Sequence, residues 1–159
     1  MNRHGFTLIE LLLVMAIIGI LIAVGLANYG RWRASSAVMQ GAQEFGQAVA
    51  GTRTGAKRAN ACWQISLVST AASNTQYQVK EYSGPVCSTK AGTLMRTRTY
   101  TMPPGTTLTL NTGISSINFT PPYGTTDGAP DTFMVQWAAN TALARTVRVT
   151  SIFGKVIIK

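Results

Sequence analysis

The chain has 159 residues, with 14 Lys and Arg against 5 Asp and Glu and a formal net charge of +9. That length admits one modest domain and an accessory segment, and the charge suits a polyanion, acidic lipid headgroups or an acidic protein face as well as plain solubility. One histidine, His4, and two cysteines, Cys62 and Cys87, leave little from which to build a catalytic triad or a zinc site.

Gly5-Phe6-Thr7-Leu8-Ile9-Glu10 opens an apolar run that carries no charge from Leu11 to Gly30. Twenty helical residues span roughly 30 Å, the thickness of a hydrocarbon core. Glu10 is the only charge in this run, and a carboxylate inside a membrane costs several kcal/mol at the centre, so it calls for a function. A cleaved secretory signal would draw on Arg3 and His4 for its basic start and on Gly25-Leu26-Ala27 for its cleavage site. The run is too long for that reading, and Glu10 sits inside its start. An uncleaved anchor is a further alternative; its orientation stays open, because Arg31 and Arg33 oppose Arg3 across the span.

Beyond the run, Val38, Ala42, Phe45, Val49, Thr52 and Ala56 recur at spacings of 4, 3, 4, 3 and 4, a stripe on one helical face. Arg31, Arg33, Glu44, Arg53, Lys57 and Arg58 decorate the other faces. The pattern predicts one helix over residues 6–59, roughly 80 Å if unbroken. Gly19, Gly25 and Gly30 would let it bend or let another helix approach closely.

After Asn60 the period becomes alternating. Strands are expected at 63–68, 76–82, 94–102, 106–110, 115–120, 132–137, 146–151 and 155–158, separated by Gly, Pro, Asn and Ser clusters. They predict an α+β chain: a long N-terminal helix packed on one or two antiparallel sheets. Cys62 and Cys87 form either a disulfide, stabilising on the order of 3 kcal/mol, or a pair of reduced core thiols.

Candidate chemistry is sparse. Asp127 and Asp131 share a loop and could touch one calcium ion, but Asp is favoured in turns anyway. Arg96 and Arg98 would share one strand face, as would Lys155 and Lys159, with Val156 and Ile158 turned to the core. Pairing of the last two strands would add Arg148 to Lys155 and Lys159. Together with Arg96 and Arg98 these cations are the candidate DNA-binding residues, gripping phosphates without reading bases. A solvated basic edge that blocks unwanted strand pairing is the alternative.

The stretch Gly5-Phe6-Thr7-Leu8-Ile9-Glu10, behind a short basic leader and ahead of the apolar run, resembles the leader of type IV pilins and type II secretion pseudopilins. Ala56-Lys57-Arg58-Ala59, Ile117-Asn118-Phe119-Thr120-Pro121-Pro122-Tyr123-Gly124 and the end from Arg145 through Gly154-Lys155-Val156 resemble minor pilins of the GspH/FimT type. The resemblance implies cleavage by a prepilin peptidase between Gly5 and Phe6, and N-methylation of Phe6. It gives Glu10 the task of neutralising a neighbouring subunit's amine during assembly. It divides the chain into a leader (1–5), a transmembrane and filament-core helix (6–30), an amphipathic continuation (31–60) and a globular β domain (61–159). The function implied is a non-catalytic minor pilin or pseudopilin that primes assembly or sits at the tip. It would begin in the inner membrane and pass to a periplasmic or surface filament. Its partners would be other pilin or pseudopilin subunits, the prepilin peptidase, the inner-membrane assembly platform and, before assembly, lipid; no cofactor or metal is implied. A DNA receptor in natural transformation is the alternative. DNA-uptake relatives carry Gly-Arg-x-Arg where this chain has Gly154-Lys155-Val156-Ile157, so Lys155 keeps a charge and Ile157 does not.

Overall fold

The computed structural model describes residues 7–68, 73–87, 92–110, 116–126, 131–150 and 152–159. One α-helix, α1, runs over Leu8–Ala59. The chain divides into two compact units, residues 1–34 and residues 35–159.

The first unit is helical throughout its described length after Thr7. Its side chains from Leu8 to Leu26 are all exposed, large aliphatic ones included. With a mean hydropathy of 2.8 over its most apolar 18 residues, this stretch is long and apolar enough to cross a membrane.

In the second unit the helix buries the stripe that its periodicity marks out. Val38, Ala42, Phe45, Val49, Thr52 and Ala56 are all buried. Thr52 is the one polar member, and its hydroxyl donates to the Ala48 carbonyl at 2.7 Å, which removes the cost of burying it. The helix stops where Asn60 takes a left-handed conformation, φ +49°. The Ala61 N–H then donates back to the Ala56 carbonyl at 3.3 Å, the long bond of a Schellman cap with Asn60 in the left-handed position.

Among the described residues nine strands follow: β1 (Trp63–Leu67), β2 (Gln76–Tyr82), β3 (Leu94–Thr101), β4 (Thr106–Leu110), β5 (Ser116–Thr120), β6 (Thr125–Thr126), β7 (Asp131–Trp137), β8 (Asn140–Thr150) and β9 (Lys155–Ile158). They form two sheets, in the orders β3-β2-β1-β5-β6 and β4-β7-β8-β9, and every pairing is antiparallel. Asn74 and Leu108 exchange backbone hydrogen bonds of 2.9 and 2.7 Å, and the Thr126 N–H donates to the Ile152 carbonyl at 2.9 Å. The first link joins the approach to β2 with β4; the second joins β6 with the β8–β9 turn. Ile65, Phe119, Leu108, Phe133, Val135 and Val147 from both sheets close over the helix stripe. Gly55 lets the Trp63 ring lie against the helix backbone, since a methyl group there would overlap the ring.

Most expected strands are present within a residue of their predicted ends. Two differences have physical causes. β8 begins at Asn140, six residues before the predicted start at Thr146, and pairs with β7 through the turn Ala138-Ala139. β6 is two residues long and carries no period of its own. Asp131 opens β7 and is buried; Asp127, the other carboxylate of the expected loop, lies outside the described residues.

Candidate functional site

The amino-terminal end of α1 is built around Glu10. The Thr7 N–H donates to Glu10 Oε2 at 2.9 Å and the Thr7 hydroxyl donates to the same oxygen at 2.8 Å. The Glu10 N–H in turn donates to Thr7 Oγ1 at 3.4 Å. Thr7 is the residue before the first helical one and Glu10 the third within the helix, so the pair forms a capping box. Two donors left over by the start of the helix are satisfied, and a carboxylate stands at the positive end of the dipole. All three bonds involve Oε2 or Thr7, and Oε1 takes no part in them. The Thr-x-x-Glu spacing was present in the sequence as a cap signal in addition to a lone charge. Gly5 and Phe6, the expected cleavage pair, lie outside the described residues.

Cys62 and Cys87 are joined in a disulfide, with Cα atoms 5.1 Å apart and a sequence separation of 25. Cys62 follows the helix cap directly, and its N–H donates to the Gly84 carbonyl at 2.7 Å. The bridge therefore pins the chain leaving α1 to the segment that follows β2.

The basic candidates fall into two separate sets. Thr150 pairs with Lys155 and Arg148 with Ile157, and Thr146 exchanges backbone hydrogen bonds with Lys159. Opposed residues of an antiparallel pair share a face, so Arg148, Lys155 and Lys159 lie on one face of the second sheet, with Ile157 among them. Val156 and Ile158 turn the other way, toward Gly46 of the helix. Arg145 opposes Val135 and so lies on the face opposite to Arg148.

Arg96 and Arg98 do not join this patch. They stand on β3, the edge of the other sheet, at the far end of the strand order from β6, which adjoins the β8–β9 turn. Arg96 is opposite Glu81, and Arg98 Nη2 lies 2.9 Å from Glu81 Oε1. That carboxylate offsets part of the positive charge, which alternation along β3 alone does not reveal. Tyr100, the aromatic neighbour, stacks on Tyr77 with centroids 5.3 Å apart and 13° between the planes. Tyr77 and Tyr100 line a cleft of about 460 Å³ with Glu44, Trp63 and Arg98. Burial, reinforced by the Glu44 carboxylate and by Tyr100, pushes the Tyr77 phenol up to about 12.

A second groove, of about 500 Å³, holds cations not selected from the sequence as binding residues. Arg53 and Lys57, one helical turn apart on α1, line it together with Phe153 and Lys155 from the β8–β9 turn and its strand. The Arg53 Nε–H donates to the Gly124 carbonyl at 3.2 Å. Gly124 has φ +63°, and a methyl group there would come within 2.9 Å of Arg53 Cγ and 3.2 Å of Lys57 Cγ, so glycine is what lets this turn close on the helix. The i, i+4 spacing of Arg53 and Lys57 was the available signal; their meeting with Lys155 depends on tertiary packing.

Among the described residues no group of three or more histidine, cysteine, aspartate or glutamate side chains is placed to hold a metal ion.

Residues 1–26 match the prokaryotic N-terminal methylation motif. No curated protein matches the chain. The fold is similar to that of the type IV minor pilin FimU of Pseudomonas aeruginosa: one crystal form superimposes with a TM-score of 0.57 at 14% identity, covering 77% of this chain and 86% of that one. A second crystal form of FimU gives 0.56 at 15% identity, over 76% of this chain and 91% of the other. The minor pseudopilin EpsH from the type 2 secretion system of Vibrio cholerae gives 0.55 at 12% identity, covering 77% and 95%. A methylation motif at the amino-terminal end is thus followed by a fold similar to that of minor pilins and minor pseudopilins.

Proposed function

We propose that the protein is a minor subunit of a type IV pilus or a secretion pseudopilus, with a structural and non-catalytic role in priming assembly or at the tip. The observation that carries this reading is the methylation motif on an exposed apolar helix that continues into a pilin-like domain. The helix anchors the precursor in the inner membrane. A prepilin peptidase cuts between Gly5 and Phe6 and Phe6 is N-methylated; the assembly platform then passes the chain into a filament with other pilin or pseudopilin subunits.

Glu10 supplies the register. An amine and a carboxylate are each costly when buried alone in an apolar bundle, and tolerable as a pair. Because the cap uses Oε2, Oε1 is left to accept from a neighbouring subunit's amine without dismantling the helix start. The decisive experiment is mass spectrometry of the mature amino terminus, beside a Gly5→Ser variant. The expected result is a wild-type chain beginning at methylated Phe6 and a variant that keeps its leader in the membrane. An unmethylated terminus near Ala27, or normal cleavage of the variant, would defeat the proposal.

A DNA receptor for natural transformation is the second reading, favoured by the register that aligns Arg148, Lys155 and Lys159. It calls for binding that falls steeply with salt and weakens in a Lys155→Ala, Lys159→Ala double variant. No binding at low salt by the folded full-length chain would remove it.

A further inference from the structure

Three segments far apart in sequence meet near the end of helix α1. The turn at Tyr123-Gly124 packs on Arg53 and Lys57 through Gly124, and the β8–β9 turn is tied to β6 by the bond from Thr126 to Ile152. These turns carry Tyr123, Ile152 and Phe153, which are 73%, 60% and 66% exposed and stand among the most exposed large apolar side chains of the second unit. Arg53, Lys57 and Lys155 line one groove with Phe153, and among the described residues no carboxylate lines it. Arg53 is held in place by its bond to Gly124, so little rotamer freedom is left to lose on binding, while its terminal guanidinium nitrogens are not used in that bond.

Exposed aromatic and aliphatic anchors with a rim of one charge sign match the anatomy of a protein interface, where Tyr, Phe and Arg concentrate. We infer that this surface docks the acidic face of a different protein subunit, an inference that rests on the filament-subunit reading above. Charge decides against a second copy of the same chain. Each copy brings a net charge of +9 and five carboxylates. Of these, Glu10 sits in the apolar helix, Glu81 is paired with Arg98 and Asp131 is buried. Glu44 and Asp127 are too few to satisfy three cations, and two such surfaces repel. Nucleic acid fits less well, because phosphates would answer the cations but leave aliphatic Ile152 with nothing to stack on.

The test places a photoreactive benzophenone side chain at position 153 of the full-length protein, in cells that assemble the native filament, with position 95 on β3 as the control. The expected adduct is with a single acidic pilin-like subunit. It should fall about tenfold in a Lys57→Glu background and return when an acidic residue of that subunit is changed to Lys. An adduct of twice the chain's own mass, a nuclease-sensitive adduct, no adduct, or one indifferent to Lys57→Glu would each overturn the inference. Sheared filaments from the same cells separate the two claims. Wild-type protein present in them without an adduct at 153 rejects the docking surface alone, whereas its absence from them rejects the filament reading and this inference with it.

Discussion

Phe45 stands edge-on to Tyr77, with ring centroids 5.1 Å apart and planes at 86°. It also lies 4.9 Å from Phe133, so one helix side chain touches an aromatic ring from each sheet. Replacing Phe45 with Ala removes this shared contact and leaves a cavity at the meeting of all three layers. The expected cost is about 3–5 kcal/mol. Urea unfolding of the full-length chain in detergent micelles, followed by Trp63 and Trp137 fluorescence, measures it. A loss under about 1 kcal/mol would mean that the sheets hold together without the helix.

The alkaline limb of stability should carry the signature of Tyr77. Its phenol is held at about 12 in the folded protein, against an ordinary value of 10.0. Below the ordinary value both states keep the proton and this group adds no pH dependence. Between the two values the unfolded chain releases its proton while the folded one retains it. Stability therefore falls as pH rises through that window, by on the order of 2 kcal/mol in full. Tyr77→Phe should flatten the decline, measured by denaturation at a series of pH values. An unchanged slope in that variant would assign the loss to other groups.

Removing the disulfide should weaken the domain through the unfolded state. A closed loop of this size is worth about 3 kcal/mol in chain entropy. The double variant Cys62→Ser, Cys87→Ser and the wild type in reductant should lose similar amounts, read as matching shifts in the denaturation midpoint. A wild type unaffected by complete reduction would show that the bridge adds nothing to stability.

Glu10 can be tested for charge and cap separately. Gln preserves a capping box while removing the charge, whereas Ala removes both. If pairing with a neighbour's amine sets the register, Glu10→Gln and Glu10→Ala should both be cleaved normally and both be scarce in sheared filaments. Wild-type incorporation of Glu10→Gln, with failure of Glu10→Ala, would reduce the residue to a helix cap.

Much of the fold was legible because burial imposes a period. The stripe from Val38 to Ala56 could be read from its spacing and is buried in full. The first half of β8 was not legible, because the turn Ala138-Ala139 before it contains no Gly, Asn, Asp or Pro. Its stabilisation comes from pairing with β7, which no local signal announces. The site divides in the same way. Glu10 drew notice as a lone charge, and that oddity hid its ordinary partnership with Thr7 three residues earlier. The face shared by Arg148, Lys155 and Lys159 followed from alternation and one strand pairing. The offset of Arg98 by Glu81, and the meeting of Arg53 with a turn about a hundred residues onward, depend on how sheets and helix stack.

The position of the Cys62–Cys87 bridge bears on how the chain crosses a membrane. It begins two residues after the left-handed cap at Asn60 and fastens the exit from the helix to the segment that follows β2. A domain left on the reducing side keeps both thiols and lacks that fastening, whereas one delivered to an oxidising compartment gains it. Topological errors would thus be penalised after insertion, since a misoriented molecule carries the weaker domain and is the readier substrate for proteolysis.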